Sequence, residues 1–199
     1  MLVLFYDILI YRKSWEYHIK HVDQFLQIPE NNQLYVKRSK CSFGKQEVEY
    51  LGHIVSREGV KMGPQNIQSI TKFPTPKNIK SLRGFLGLIG YYHKFVKNYE
   101  SISFPLTYLL KKKSFVWNEE ATLAFSLLKD VISSTLVLET SNFGKTFRDK
   151  CDSLGQGFVV LMQEERLLAF ESKQSKGKYL VKFTYEKEME TILHAIKKW

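Results

Sequence analysis

The sequence contains little cysteine, which limits the kinds of protein it can encode. Cys41 and Cys151 are the two cysteines among 199 residues, and neither lies in a C-x-x-C pair. A disulfide-stapled secreted scaffold and a structural zinc site are therefore disfavoured, and an intracellular location, cytoplasmic or nuclear, is predicted. Because 44% of the residues are hydrophobic, the chain is expected to fold around a buried core.

Long hydrophobic segments are also lacking. The longest apolar run, residues 2–11, is interrupted by Asp7 and is too short to span a bilayer. Arg12 and Lys13 follow this run, whereas in a signal peptide the basic residues come first. The sequence therefore predicts no membrane partner and no export signal.

Several catalytic motifs are absent as well. The sequence has no G-x-x-x-x-G-K-S/T loop, no G-x-S-x-G elbow and no H-E-x-x-H helix. His18 and His21 lie one helical turn apart, but His53, His93 and His194 supply no second pair. We therefore predict that these histidines are hydrogen-bonded residues of the surface or core and do not form a metal-binding set.

Acidic residues are nearly absent between residues 66 and 113. This segment has nine basic residues and one acidic residue, a net charge of +8, whereas residues 1–65 carry +2 and residues 114–199 are neutral. The basic residues are Lys72, Lys77, Lys80, Arg83, Lys94, Lys97, Lys111, Lys112 and Lys113. Such a segment can hold a polyanion, with a solvated basic surface as the alternative. Aromatic residues that can stack on bases or sugars are interleaved with it, namely Tyr91, Tyr92, Phe95 and Tyr99.

The N-terminal quarter predicts strands and one helix. Residues 2–11 indicate a buried strand pair or one bent strand. Ser14 is placed to cap a helix over residues 15–28, which Pro29 is expected to stop.

Two further strands are predicted at residues 33–36 and 48–55. A basic, glycine-containing turn at residues 37–45 separates them, and Glu58 with Gly59 predicts another tight turn.

Helices dominate the middle of the chain. A short helix is predicted over residues 64–73, and a stronger one follows, with Thr75 as its cap and Pro76 as its first residue. The apolar stripe of this helix comprises Leu82, Phe85, Leu86, Ile89 and Val96. Asn118 is expected to cap a third helix, with an inward face of Leu123, Leu127, Leu128 and Val131.

Three glycines recur along the second of these helices. Gly84, Gly87 and Gly90 are spaced every three residues, and each costs about 1 kcal/mol relative to alanine inside a helix. This cost predicts that something approaches the helix closely. A packed neighbouring helix is favoured, and a nucleic-acid backbone is the alternative.

The last third of the chain switches to strands. Residues 146–151, 157–163 and 166–172 predict a three-stranded meander. A closing helix follows Thr184, with an apolar side of Met189, Ile192, Leu193 and Ile196. The whole pattern predicts an α/β (α+β) fold.

Two places in the sequence offer carboxylates for metal-dependent phosphoryl chemistry, which needs several acids around divalent ions. One is Asp7, inside an apolar strand where a charge is costly unless it is compensated. The other pairs Asp152, at a strand end, with Glu188 in the closing helix. The helix dipole also favours acids near the start of a helix, so Glu188 has a purely structural explanation as well. Glu186 lies nearby on the same helix and serves as a comparison for that structural explanation.

The order of these segments resembles the reverse transcriptases of gypsy-type LTR retrotransposons. The matching segments are 5–11 (FYDILIY), 40–43 (KCSF), 50–55 (YLGHIV), 73–77 (FPTPK), 82–88 (LRGFLGL), 95–99 (FVKNY) and 185–189 (YEKEM). The resemblance covers nearly the whole chain and implies a fragment of a Pol polyprotein.

This resemblance implies three parts. Residues 1–65 would be the C-terminal part of the polymerase palm, residues 66–134 the helical thumb and connection, and residues 135–199 the N-terminal part of an RNase H-like domain with an incomplete sheet and one helix. The expected partners are an RNA–DNA hybrid or a DNA or RNA duplex, together with other segments of the polyprotein.

The resemblance also implies roles for particular residues. The segment containing Leu51, Gly52 and His53 would grip the primer terminus. The thumb, with Lys72, Lys77, Lys80, Arg83, Lys94 and Lys97, would hold the hybrid. Asp7 would bind Mg²⁺ for polymerisation, and Asp152 with Glu188 would bind Mg²⁺ for RNA hydrolysis.

The sequence departs from the family pattern at both centres. The palm motif carries two adjacent aspartates, but the first position here is Tyr6 and only Asp7 remains. A further palm carboxylate would lie upstream, and the remaining nuclease acids would follow Trp199. The strand after Asp152 is one residue shorter than in the family, which could reverse its alternation.

The enzyme hypothesis is therefore an RNA-directed DNA polymerase and RNase H fragment that is inactive alone. The competing hypothesis is a non-catalytic remnant whose thumb still binds paired strands. A third is an unstable product of a decayed element, because unpaired strand edges would be exposed.

Overall fold

The computed structural model describes residues 2–4, 7–12, 14–111, 115–134, 136–152, 158–172 and 183–198. Within these ranges, the side chains of Leu2, Leu4, Asp152, Thr184 and Lys198 are left out of the description. The described residues form helices and three small antiparallel sheets, which confirms the predicted α/β (α+β) class. The expectations for Tyr6, Lys112 and Lys113 fall outside the described residues. No described helix is long and apolar enough to cross a membrane.

The first sheet is the predicted strand pair, but it is not buried. Strands β1 (Leu2–Leu4) and β2 (Asp7–Leu9) are antiparallel, with Leu4 opposite Asp7. Asp7 is exposed and Ile8 is 40% exposed, whereas Leu9 is buried. The expected desolvation of Asp7 was wrong because its side chain lies at the surface.

Helix α1 (Trp15–Asn31) continues through Pro29, contrary to the prediction. Proline removes one N–H donor but keeps its carbonyl, which accepts a hydrogen bond from the Leu34 amide at 2.8 Å. Ser14 precedes the helix without a side-chain cap bond.

The strand predicted at residues 33–36 does not form. Gln33 has a left-handed φ of 56°, and Tyr35 is 99% exposed. A strand needs a neighbour for its backbone groups, and these exposed residues pair with none in the part of the chain described.

The second sheet has strands β3 (Glu47–Tyr50), β4 (His53–Ser56) and β5 (Gly59–Met62) in that order. The single strand predicted at residues 48–55 is therefore two strands, separated by a turn of Leu51 and Gly52, hereafter the 51–52 turn. The φ angles of these two residues are 51° and 74°. Positive φ at both positions is the geometry of a tight two-residue hairpin. The turn predicted before Gly59 is confirmed.

Helices α2 (Pro64–Thr71) and α3 (Ile79–Gly90) follow. The predicted start of α3 was wrong, because Asn78 is the cap and its Oδ1 accepts from the Ser81 amide at 2.9 Å. The helix also ends before Val96, which is buried after a one-turn 3-10 helix, His93–Phe95.

Helix α4 (Tyr99–Leu109) was not predicted, and Pro105 lies inside it. An interior proline costs a helix about 3 kcal/mol. Leu106 and Leu109 are nearly fully buried, and each contributes about 1.5–3 kcal/mol. Burial therefore outweighs the local preference of the sequence.

Helix α5 (Glu119–Ser133) has the predicted cap, since Asn118 Oδ1 accepts from the Ala121 amide at 2.9 Å. Its inward face was only partly predicted. Leu128 is buried, but Leu123 and Leu127 are 71% and 47% exposed. The other buried residues on this helix are Ala121, Ala124, Phe125 and Ile132.

The predicted meander is confirmed as the third sheet. Strands β6 (Arg148–Asp152), β7 (Phe158–Gln163) and β8 (Arg166–Ser172) pair in sequence order. Helix α6 (Thr184–Lys198) packs on β6 and β7. Its predicted apolar side was wrong, because Met189, Leu193 and Ile196 are exposed whereas Thr191 and Ala195 are buried.

Segment 136–139 ties the third sheet to the second. Leu138 and Val60 exchange two backbone hydrogen bonds of 2.7 and 2.8 Å, and the Glu139 amide donates to the Leu167 carbonyl at 2.7 Å. Gly59 makes this contact possible, since a Cβ there would clash with the Leu138 carbonyl oxygen. The main core lies between α2, α3, α4 and α5 and extends to Leu138.

Candidate nucleic-acid interface

One side of α3 is exposed along its whole length. Lys80, Gly84, Gly87 and Tyr91 follow each other at helical spacing, and Arg83 lies beside them. All five are exposed, whereas the opposite side of the helix carries buried residues. We call these five residues the α3 face.

The two glycines of the α3 face meet open space. A Cβ built on Gly87 would have no neighbour within 4 Å, and one on Gly84 would meet only Phe73 Cζ at 4.0 Å. The favoured explanation, a packed neighbouring helix, is therefore wrong for these two positions within the described residues. Only Gly90 has such a neighbour, Tyr99 Oη at 3.5 Å. These two exposed glycines therefore lower the stability of the helix without serving internal packing.

Exposed cations surround the start of this face. Lys72, Lys77, Lys80 and Arg83 are exposed, and none of them forms an ion pair with a described residue. The first turn of α3 has no acidic residue. Positive charge at the positive end of a helix is unfavourable by itself and strengthens the attraction for anions.

Two other predicted cations are placed differently. Lys94 is half-buried, and burial lowers the pKa of its ammonium group. Its Nζ lies 5.4 Å from the Phe95 ring centre, and Lys97 Nζ lies 4.8 Å from that of Phe158. Of the six predicted cations, the exposed ones without a ring or ion-pair contact in the described part of the chain are thus Lys72, Lys77, Lys80 and Arg83.

The 51–52 turn is held from two sides. The Leu51 carbonyl accepts from the Tyr91 hydroxyl at 3.1 Å and from His53 Nδ1 at 3.0 Å. The Gly52 carbonyl accepts from three donors: the Gly63 amide at 2.9 Å, Tyr92 Oη at 3.2 Å and Asn66 Nδ2 at 3.2 Å. The start of α2 and the end of α3 therefore fix this turn together.

His53 belongs to the interior, although the sequence predicted it as a nucleic-acid contact. It is 8% exposed and lies 5.3 Å from the ring centres of Tyr91 and Tyr92. Its Nδ1 donates to Leu51, and its buried Nε2 has no hydrogen-bond partner in the described structure. Burial, together with the charge of Lys94, lowers the pKa of His53. The neutral ring supports the turn from behind.

The candidate metal ligands lie on different sheets. Asp7 is on the first sheet, where its carbonyl accepts from the Tyr50 hydroxyl at 3.3 Å. Asp152 ends β6 on the third sheet, with its backbone paired to Phe158, and Glu188 is exposed on the adjacent α6. No group of three or more histidine, cysteine, aspartate or glutamate side chains able to hold a metal ion exists within the described ranges.

The negative charge of Glu188 acts on Cys151, near the end of β6. The pKa of the Cys151 thiol is raised by burial and by the negative charges of Asp149 and Glu188. Cys151 directly precedes Asp152. The negative charges that act on this thiol are therefore those of Asp149 and Glu188, and carboxylate oxygens are donors that Mg²⁺ prefers.

A second charged group joins distant segments and was not predicted from the sequence. Glu171 on β8 is 8% exposed, and its carboxylate lies 3.5 Å from His93 Nε2 and 3.3 Å from His194 Nε2. These residues are separated by more than 20 positions, so no local spacing reveals their contact.

Comparisons with known proteins agree with this architecture. Residues 117–199 match the RNase H-like domain found in reverse transcriptase. An uncharacterized mitochondrial protein of Arabidopsis thaliana is 49% identical over 122 residues, which are 60% of this chain and 77% of that protein. The retrovirus-related Pol polyprotein from transposon 297 of Drosophila melanogaster is 34% identical over 200 residues, or 98% of this chain. That match spans only 19% of the polyprotein.

The fold is shared with a solved viral enzyme. The foamy viral protease-reverse transcriptase, in complex with an RNA/DNA hybrid, superimposes with a TM-score of 0.85 at 20% identity. The alignment covers 94% of this chain and 26% of the viral one. The chain therefore belongs to the family of the Arabidopsis protein and is a homologue of retrotransposon Pol polyproteins, with an RNase H-like domain of the reverse-transcriptase kind.

Proposed function

We propose that this chain binds paired nucleic-acid strands through the α3 face, as a fragment of an RNA-directed DNA polymerase with an RNase H-like domain. The ligand is an RNA–DNA hybrid or a DNA or RNA duplex. The 51–52 turn lies at the Tyr91 end of the same surface and contacts the same ligand.

The observation that carries this proposal is the open glycine surface beside exposed cations. A helix without side chains at Gly84 and Gly87 lets a bulky ligand approach its backbone. Lys80 and Arg83 lie next to the glycines and can contact phosphates. Tyr91 adds an aromatic face at the end of the stripe, where a base or sugar can stack.

The comparisons support the same ligand class. The foamy viral enzyme has been solved with an RNA/DNA hybrid and with double-stranded DNA. We also propose that residues 1–65 are the end of the palm, residues 66–134 the thumb and connection, and residues 135–199 the RNase H-like part. Other segments of a polyprotein are further expected partners.

Asp152 and Glu188 are the residues that would hold magnesium in the RNase H-like part. When bound, the ion would polarise the phosphate and activate water for RNA hydrolysis. Asp7 would serve polymerisation, but Tyr6 replaces the adjacent family aspartate and brings no negative charge. We expect neither polymerase nor nuclease activity from this chain alone.

Fluorescence anisotropy with a labelled hybrid and a labelled DNA duplex tests the binding proposal. The affinity should fall steeply as salt is raised, because phosphate contacts release counterions. The double variant Lys80→Gln/Arg83→Gln should bind more weakly and lower the salt slope by about 2. The matched control Lys37→Gln/Lys40→Gln removes two exposed charges elsewhere and should keep the slope. Binding that is insensitive to salt would reject the proposal.

Primer extension and hybrid cleavage in magnesium test the expectation of inactivity. A template-dependent product, or RNA cleavage that disappears in Glu188→Gln, would overturn it. The comparison Glu186→Gln, on the same helix, distinguishes loss of a metal ligand from loss of surface charge.

A further inference from the structure

We infer that Tyr91 is a positioning residue that holds the 51–52 turn in register with the α3 face, so that both contact one duplex as a single rigid surface. This inference rests on the proposed function and assigns a role to a hydroxyl group outside the charged residues.

The burial of the two neighbouring tyrosines separates their roles. Tyr92 is 2% exposed and belongs to the core, and burial raises the pKa of its phenol to about 12. Tyr91 is 52% exposed, so its hydroxyl could bond to water. It instead donates to the Leu51 carbonyl, 40 residues away in sequence. Core packing does not require this bond.

The turn needs such a support because its backbone conformation is restricted. Leu51 adopts a φ of 51° without being glycine, a conformation that is uncommon for a residue with a side chain. At Gly52, a Cβ would lie 2.7 Å from Tyr92 Oη. Hydrogen bonds to both carbonyls hold the turn in this conformation.

The position of Tyr91 explains how this hydrogen bond can affect the proposed binding surface. Tyr91 is the last residue of the α3 face and the C-terminal cap of the helix. Its hydroxyl therefore joins the surface carrying Lys80, Gly84 and Gly87 directly to the turn. Without this bond, His53 Nδ1 would be the one remaining donor to the Leu51 carbonyl among the described residues.

Tyr91→Phe removes the hydroxyl and keeps the ring. Duplex affinity should fall about 2- to 10-fold, the effect of one hydrogen bond. Hydrogen exchange of the free protein should become faster at the Gly63 amide, which donates to the Gly52 carbonyl at 2.9 Å, and at the His53 amide, which lies opposite Tyr50 in the hairpin. Tyr35→Phe, at a 99% exposed position, is the matched control and should change neither quantity.

A second variant tests positioning from the opposite side. Asn66→Ala removes a donor to the Gly52 carbonyl from α2, outside the α3 face, and should also weaken binding and speed amide exchange. If Tyr91→Phe weakens binding while exchange in the free protein stays unchanged, the Tyr91 hydroxyl contacts the ligand directly instead of holding the turn, and the inference is overturned.

The proposed function and the positioning role of Tyr91 can be disproved separately. If the unmodified chain does not bind a hybrid or duplex, the proposed function is wrong. If it binds, and Tyr91→Phe binds equally well with unchanged exchange, only the positioning role is wrong.

Discussion

His93 Nε2 lies 3.5 Å from Glu171 Oε2, and this contact joins the turn after α3 to the last strand of the third sheet. The Nδ1 atom of His93 is 2.7 Å from the Gly90 carbonyl oxygen, so Nδ1 carries a proton. Nε2 can donate to Glu171 as well only when the ring is a cation. A buried carboxylate, with His194 on its other oxygen, thus links the two halves of the chain.

Replacement of this carboxylate should loosen the junction. We expect Glu171→Gln to lower the free energy of unfolding by about 1–3 kcal/mol, because a buried charged hydrogen-bond partner is lost. Urea denaturation measures the change. Glu165→Gln, at an exposed ion pair with Arg148 and Lys150, is the control and should have a smaller effect. Equal losses in both variants would contradict the role of Glu171.

The local features of the candidate interface could be predicted from the sequence. The recurrence of Gly84 and Gly87, and the charge around Lys80, depend on spacing within one helix. The sequence alone could not decide what faces the glycines, because a neighbouring helix and an external ligand leave the same pattern.

The features that depend on distant contacts could not be predicted. The anchoring of Leu51 by Tyr91 spans 40 residues. Leu123 and Leu127 follow an apolar helical pattern, yet Ala124 and Phe125 face the core instead. On this helix, the apolar pattern allows more than one face to be buried, and tertiary packing decides which face contacts the core.

The open glycines should show opposite effects on stability and binding. We expect Gly87→Ala to raise the free energy of unfolding by about 0.5–1 kcal/mol, because alanine favours the helix and its Cβ meets no atom within 4 Å. Duplex affinity should nevertheless fall, and Gly87→Leu should reduce it further. Thermal melts and anisotropy measure the two effects.

A suitable comparison lies in the same helix. Gly90→Ala places a Cβ 3.5 Å from Tyr99 Oη, within the protein, and should change affinity less than Gly87→Ala. Unchanged affinity in Gly87→Leu would show that no ligand approaches this part of α3.

Acid should destabilise the chain through His53. Its pKa is lowered in the folded state, mainly by burial, so the unfolded state binds the proton more tightly. The stabilisation is therefore fully present above the ordinary histidine pKa of about 6.5 and decreases as the pH falls below it.

The substitution His53→Phe isolates this contribution. Between pH 7.5 and pH 5.5, unfolding free energies from urea titrations should fall less in His53→Phe than in the unmodified chain. The same fall in both proteins would assign the acid sensitivity to other groups.

The connection between the second and third sheets should depend on Gly59. An alanine there would carry a side chain at a φ of 137° and approach the Leu138 carbonyl oxygen. The strained backbone alone costs about 1–3 kcal/mol, and the clash adds to it. We expect Gly59→Ala to lower the melting temperature more than Gly144→Ala, whose Cβ meets Asn142 Oδ1 at 3.3 Å. Equal melting temperatures would show that segment 136–139 can move aside at little cost.

The most direct measurement is the change in backbone amide chemical shifts, recorded by NMR while a short hybrid or DNA duplex is added. We expect the largest changes at residues 79–91 and 51–53, with little change along α1. Unchanged shifts at Lys80, Gly84 and Gly87, with the largest changes elsewhere, would contradict the assignment of the α3 face as the nucleic-acid interface.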